Sequence, residues 1–278
     1  MEMTRRKFLG LIGAVTLTSC AHQIPLIGRG NGKQEPWAVA GMSDLHVNQA
    51  RTTAIINRAV AQINATPGVR FTVVIGDLST SGQLAELNLA RESLDRLAQP
   101  CFAVPGNHDV DTRARDPYAN FKRNFGAPSW IHEEKQWVFF GLDTCEGAAS
   151  DVAVRPDRLD WLEKRLRKIG PNRPIGVFAH HPFGPSTKAY RVKNAGEVLG
   201  LFSGHNLKFV ASGHYHGNQE EVSNGVLFTT TACCFSTRDN FDETKEKGYR
   251  LFRITGEEVD TEFVPLAVRA LASTPGSA

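Results

Sequence analysis

Short apolar runs, each closed by a polar turn, recur along the chain. Trp37 to Met42 is the first such run and ends in Ser43-Asp44-Leu45-His46. Arg51 to Ile63 follows, with Ala54, Ile55, Ala59, Val60 and Ile63 at helical spacing. Phe71-Thr72-Val73-Val74-Ile75 reads as a strand and breaks at Gly76-Asp77. Ser81 to Leu97 is amphipathic, with Leu84, Leu87, Leu94 and Leu97 on or near one face. Cys101 to Asp109 supplies a third strand, which Pro105 and Gly106 turn into Asn107-His108-Asp109. Strand, polar turn and helix in three successive rounds predict right-handed βαβ crossovers and a mainly parallel sheet.

The second half keeps the plan with less regularity. Trp137 to Leu142 reads as a strand and Arg155 to Ile169 as a helix carrying Leu159, Leu162 and Leu166. Ile175 to Ala179 is a strand that runs into His180-His181-Pro182. Gly196 to Phe202 reads as helical, and Phe209-Val210-Ala211 as a strand ending at Gly213-His214-Tyr215-His216. Val226 to Thr231, Tyr249 to Thr255 and Val259 to Val264 are expected as short antiparallel strands. No linker or repeat splits the stretch 36–267, so one α/β domain is expected there, followed by a frayed tail over 268–278.

The N-terminus has a different character. Thr4-Arg5-Arg6-Lys7 precedes an apolar run from Phe8 to Leu17 that is too short to span a bilayer. Residues 1–19 therefore read as an export signal, and the paired arginines resemble a twin-arginine signal. Leu17-Thr18-Ser19-Cys20 resembles the lipobox of bacterial lipoproteins. That resemblance implies a lipid on Cys20 and a periplasmic, membrane-anchored protein, and residues 20–35, with Pro25, Gly28, Gly30, Asn31 and Gly32, read as a flexible tether. After position 19 the chain has 29 basic and 28 acidic residues, so nothing in its charge calls for nucleic acid as a partner. Cys101 sits in a strand and reads as a small core residue. An oxidising compartment would permit disulfides, although a bond between the adjacent Cys233 and Cys234 would be strained.

Five of the polar turns carry the chemistry: Asp44-Leu45-His46, Gly76-Asp77, Gly106-Asn107-His108-Asp109, His180-His181 and Gly213-His214-Tyr215-His216. Six of the nine histidines lie in four of them. Singly, each has an ordinary reading, Asp77 as a turn aspartate and the histidines as surface or strand residues. Together, at the ends of apolar strands, they form a donor set suited to a pair of zinc, iron or manganese ions. Two such ions can clamp an in-line displacement at phosphorus.

The ordered set D-x-H, G-D, G-N-H-D, H and G-H-x-H resembles the calcineurin-like metallophosphoesterase superfamily over about Trp37 to Val264. The resemblance implies a four-layer αββα sandwich with two mixed sheets and a dinuclear centre at the strand ends. It implies that Asp44, His46 and His216 hold one metal, that Asn107, His180 and His214 hold the other, and that Asp77 bridges them. His180 is taken over His181 because Val177-Phe178-Ala179-His180 matches the V-x-x-H spacing of related phosphatases. His108 is implied as the general acid or the stabiliser of transition-state charge. Asp109 either orients His108 or caps the turn.

The expected reaction is hydrolysis of small phosphodiesters or phosphomonoesters by a metal-activated water. The D-x-H form is similar to class III cyclic-nucleotide phosphodiesterases. Purple acid phosphatases instead have D-x-G and G-D-x-x-Y, whereas His46 and Thr80 occupy those positions here. A nuclease of the same superfamily and a non-catalytic scaffold are the alternatives. The near-neutral charge opposes the first and the full ligand set opposes the second. Arg113, Arg115, Phe183, Tyr215, Asn218 and Arg238 lie in loops near the expected site.

Overall fold

The computed structural model describes residues 35–266 except Ser236. The expected signal segment, most of the tether and the frayed tail lie outside the described residues. Eleven strands form two sheets among the described residues. The first has the order β11-β10-β1-β2-β3, from β1 (Trp37–Met42), β2 (Val69–Ile75), β3 (Cys101–Val104), β10 (Gly248–Thr255) and β11 (Glu258–Pro265). The second has the order β4-β5-β6-β7-β9-β8, from β4 (Trp130–Glu134), β5 (Trp137–Leu142), β6 (Pro174–Ala179), β7 (Asn206–Ser212), β8 (Gln219–Ser223) and β9 (Val226–Thr230).

Strands β1, β2 and β3 run parallel, as do β5, β6, β7 and β9. The antiparallel pairs lie toward the edges, where β10 joins β1 and β11, β4 joins β5, and β8 joins β9. The expectation of three antiparallel closing strands holds for β10 and β11 and in part for β9, which is antiparallel to β8 but parallel to β7. Its parallel partner, β7, is reached by a hairpin through β8, a strand the apolar pattern did not announce.

Alternation of side chains explains the four layers. In β2, Phe71, Val73 and Ile75 face the second sheet, while Val74 faces helices α1 (Ala54–Ala65) and α2 (Leu84–Leu94). In β5, Trp137 and Phe139 face the first sheet, whereas Val138, Phe140 and Leu142 pack under α4 (Pro156–Leu166) and α5 (Ala195–Gly200). Strands buried on both faces need no polar positions, which is why these runs are continuously apolar. Helix α3 (Ala119–Phe125) completes the first helical layer through the buried Phe121. It went unread in the sequence because two apolar anchors, Phe121 and Phe125, in seven residues are too few to establish a period.

The layer between the sheets is aromatic. Phe139 touches Trp37, Phe71, Trp137, Phe178 and Phe209, with ring centroids 5.0 to 6.3 Å apart. Such packing fixes the spacing of the sheets and hence of the loops at their ends. Phe139→Ala is expected to cost about 3–5 kcal/mol, read as a lower denaturant midpoint at unchanged slope.

Candidate metal centre

All seven residues implied as ligands, and His108, come together at the carboxyl ends of β1, β2, β3, β6 and β7. Backbone pairing continues past the strand ends and sets the loops in register. The Asp44 N–H donates to the Gly76 carbonyl (3.1 Å), the His46 N–H to Asp77 (2.8 Å) and the Val47 N–H to Leu78 (3.0 Å). Within the second sheet the Gly213 N–H donates to the His180 carbonyl (3.0 Å), and across the sheets the Cys234 N–H donates to Ser43 (2.9 Å). The crossing is tight. A Cβ on Gly213 would lie 1.8 Å from Ser43 Oγ, and one on Gly106 would lie 2.1 Å from Asp77 Oδ1. Gly106 has φ −102°, open to any residue. It is a glycine because Asp77 leaves no room, which corrects the expectation that it serves a sharp turn.

Two donor groups share one carboxylate. In the first, His216 Nε2 is 3.1 Å from Asp44 Oδ1 and 3.2 Å from His46 Nε2. His46 Nε2 is 3.6 Å from Asp77 Oδ2. In the second, His180 Nε2 is 3.4 Å from Asp77 Oδ1 and 3.1 Å from His214 Nδ1. Ligands about 2.0–2.1 Å from a tetrahedral ion stand roughly 3.3 Å from one another, so both groups have the spacing of a coordination shell. Asn107 fits as well. Its Nδ2 donates to the Ala148 carbonyl (3.5 Å), while its Oδ1 is buried without a partner.

The surroundings prepare the imidazoles to coordinate. His180 Nδ1 donates to the Ile75 carbonyl (2.9 Å), His216 Nδ1 to Asp239 (3.2 Å) and His214 Nε2 to Ser150 (3.1 Å). Each bond places a proton on one ring nitrogen and leaves the other for an ion. His46 is the exception, with its Nδ1 buried and unpartnered. His181 is also buried, but its Nδ1 meets the Thr144 hydroxyl (2.8 Å) and Asp77 lies on His180. These contacts place His180 rather than His181 on the shared carboxylate.

Asp109 is placed elsewhere than beside the His108 ring. It is fully buried and accepts from the N–H groups of Leu78 (3.1 Å), Ser79 (2.8 Å) and Gly106 (2.9 Å), and from the Ser79 hydroxyl (2.8 Å). It ties the loop after β3 to the loop after β2. Its assignment as a catalytic residue is corrected on that ground, and the turn-tying alternative describes it. The His108 ring is held by the Thr80 carbonyl, which accepts from Nδ1 at 2.7 Å. Thr80 is fixed in turn by its hydroxyl on the His46 carbonyl (2.8 Å) and by Glu86, whose carboxylate takes its N–H (3.2 Å). A backbone carbonyl has no side-chain signature, so sequence could not reveal this partner.

Beside His108 opens a cavity of about 430 Å³, lined by Thr80, Ser81, Asp111, Thr112, Arg113 and Ser150 among others. Arg113 thus belongs to the site's wall. Asn218 instead donates its N–H to Asp242 and accepts from Arg250, and Phe183 is core. A larger hollow of about 560 Å³ lies around Arg191, Phe202 and His205 and shares no residue with the donor groups.

Residues 38–218 match the calcineurin-like phosphoesterase family. The chain belongs to that family. A probable cyclic nucleotide phosphodiesterase of a Synechococcus species is 30% identical over 60% of this chain and 65% of its own. A probable glycerophosphodiester phosphodiesterase of Arcobacter nitrofigilis is 30% identical over 61% of this chain and 64% of its own. The matched part of the chain thus spans just under two thirds of these relatives. Among solved structures, GAP50 of Plasmodium superposes with a TM-score of 0.59 at 14% identity, covering 83% of this chain and 84% of that one. The purple acid phosphatase of yellow lupin gives 0.54 at 12% identity, covering 80% and 50%. Both show the shared fold.

Charge in the ion-free centre is balanced by protons. Burial opposes ionisation of Asp44 and Asp77, yet His216 and His180 outweigh it and hold both carboxyls well below the usual carboxylate range. Burial also opposes charge on the two imidazoles, but Asp44 pushes His216 up to about 11 and Asp77 pushes His180 up to about 9. Burial takes His46 down to about 3 and, with the charge of His180, His214 down to about 4. Stabilisation from the two raised histidines is full below the unfolded imidazole value of about 6.5. It is lost as pH rises toward about 9 for His180 and about 11 for His216. Loading the ion-free protein with Mn²⁺ or Zn²⁺ at pH 8 is expected to release about two protons per chain. Calorimetry in buffers of different ionisation enthalpy measures that number, and a value near zero would contradict the arrangement.

Proposed function

We propose that the protein is a dinuclear metal-dependent phosphoesterase acting first on phosphodiesters. The observation that carries this is Asp77, whose two carboxylate oxygens face separate donor groups, Oδ2 toward His46 and Oδ1 toward His180. The names of the relatives, a cyclic nucleotide and a glycerophosphodiester phosphodiesterase, support an ester of that class.

In this reading Asp44, His46 and His216 hold one ion, Asn107, His180 and His214 the other, and Asp77 both. When bound, two ions of zinc, iron or manganese supply Lewis acidity at the phosphoryl oxygens and lower the pKa of water. The chain's own part is to orient and to move a proton. With Nδ1–H engaged by Thr80, His108 has Nε2 as the atom that exchanges a proton with the departing alkoxide. The His108 N–H also donates to Asp77 Oδ1 (2.9 Å), so the acid is positioned by the bridging carboxylate itself. The cavity beside His108 receives the departing alcohol. Thr80 stands where a purple acid phosphatase has its tyrosine, so no phenolate-to-metal colour is expected.

The metal-loaded protein is expected to hydrolyse bis(p-nitrophenyl) phosphate faster than p-nitrophenyl phosphate. His108→Ala should keep its metal and lose about 10²–10⁴-fold in kcat. The loss should be largest for esters of basic alcohols, which most need the proton. Bound metal with no turnover of either ester would favour a scaffold, and full turnover by the variant would remove the role given to His108.

We further propose export by the twin-arginine route and anchoring through a lipid on Cys20. The support is Arg5-Arg6 and the run Leu17-Thr18-Ser19-Cys20. A route that carries folded proteins suits a centre that must be assembled before export. Cys20→Ala should move the protein from the membrane fraction to the soluble periplasm, and an unchanged membrane fraction would count against the anchor.

A further inference from the structure

Phe241 and Val222 are the exposed large apolar side chains among the described residues, at 53% and 71%. Their settings differ. Val222 lies in β8, at the outer edge of the second sheet. Phe241 lies in the loop between β9 and β10, and its ring stacks on His216 with centroids 5.5 Å apart and 26° between planes. Tyr190, in the loop after β6, meets His214 edge-on at 4.9 Å and Phe241 at 5.8 Å. The two rings form one rim along two of the candidate ligands.

This rim is held rigidly. Asp242, next to Phe241, accepts from the N–H of Asn218 (2.8 Å) and from the N–H and hydroxyl of Thr244 (3.1 and 2.6 Å). Asn240, on the other side, donates to Thr244 Oγ1 (2.9 Å) and the Glu246 carbonyl (2.7 Å). Its Oδ1 accepts from the buried Lys247 ammonium (2.7 Å), which also reaches the Arg238 carbonyl (2.6 Å). An aromatic ring kept in water on so well-braced a loop forgoes the stabilisation that burial would bring. Tyr190 has φ +60°, a left-handed conformation that is an outlier for a bulky side chain. Strain of that kind persists where the surroundings enforce it, and it collects at functional sites.

The other flank of the centre has a different chemistry. The cavity at His108 is lined from the loops after β2, β3 and β5, and the only ring in its wall is that of His108. A phosphodiester carries two organic groups, and the site offers two unlike surroundings for them. We propose that Tyr190 and Phe241 form a stacking ledge for a flat aromatic ring on the group that stays bound to phosphorus. The departing alcohol lies in the polar cavity at His108. This rests on the phosphodiesterase reading above. Stacking on aromatic side chains accepts any flat ring, so the ledge serves an aryl group or a heteroaromatic base.

Three esters that share p-nitrophenolate as the leaving group test this: p-nitrophenyl methylphosphonate, p-nitrophenyl phenylphosphonate and p-nitrophenyl thymidine 5′-phosphate. Wild type is expected to favour an aromatic-bearing ester over the methyl ester by about ten-fold in kcat/KM. Phe241→Ala should collapse that ratio toward one through KM, whereas Val222→Ala should retain it. Phe241 is exposed, so its truncation opens no core cavity. A gain with both aromatic esters marks a general aryl ledge, and a gain with the thymidine ester alone marks a heteroaromatic base. Turnover with an unchanged ratio in Phe241→Ala, or with no preference in wild type, overturns the ledge alone. No turnover of any ester by the metal-loaded protein overturns the phosphodiesterase reading and the ledge with it.

Discussion

One buried carboxylate governs the centre. Asp77 turns Oδ2 to the histidine of one donor group and Oδ1 to that of the other, and its Oδ1 also takes the His108 N–H. Two candidate donor groups and the proposed acid are therefore indexed to the same carboxylate. Burying such a group without a partner would be prohibitive, and the imidazoles of His46 and His180 stand 3.6 and 3.4 Å from its two oxygens. The crowding at Gly106 follows from the same requirement, because the loop after β3 must pass against Asp77 to bring Asn107 and His108 to it.

The backbone around Asp77 is forced as well. Asp44, His46, Asp77, His214 and His216 all have positive φ, between 45° and 62°. Each left-handed residue costs about 1 kcal/mol or more. Among the described residues five of the nine non-glycine positions with positive φ are candidate ligands, and the other four, Lys135, Tyr190, Asn224 and Glu243, are scattered over separate loops. The strain is the consequence of making adjacent or alternate residues, such as Asp44 with His46 and His214 with His216, converge on one point from the end of a strand. The aromatic layer between the sheets and the hydrogen bonds of Asp109 supply the rigidity that holds these conformations.

The plan of the chain was legible because it depends on regular features. Strands buried on both faces produce continuous apolar runs, and polar residues directly after them have few reasons to exist except at a site. The five ligand loops were therefore visible as a set. Edge strands β4 and β8 and the short helix α3 were not, because half-exposed elements carry mixed sequence. The choice between the two roles of Asp109 was hidden for a related reason. Its position next to His108 allowed a pairing, whereas the carboxylate serves three N–H groups in two loops, and neither those donors nor the Thr80 carbonyl that holds His108 leaves a mark on side-chain identity. Phe241 stands in the polar stretch Arg238-Asp239-Asn240-Phe241-Asp242, where a single aromatic has no period to make it noticeable.

That stretch links two properties that are usually considered separately. Asp239 offers the carbonyl that sets the His216 tautomer, and Phe241, two residues on, lies against the same imidazole. Both are fixed by one brace, the buried Lys247 ammonium and Asn240. The loop that shapes the rim of the site is thus also the outer support of a candidate metal ligand. A shift of the loop that remodelled the rim would also move the carbonyl that holds His216, and metal affinity would change with it. In the proposed site, substrate preference on this side of the centre and ion retention are therefore coupled through the His216 imidazole. On the His108 side the wall residues Thr112 and Arg113 stand on the loop after β3, which also carries the candidate ligand Asn107. Both flanks of the centre thus tie the surfaces open to substrate to candidate ligands, through His216 on one side and through the loop of Asn107 on the other.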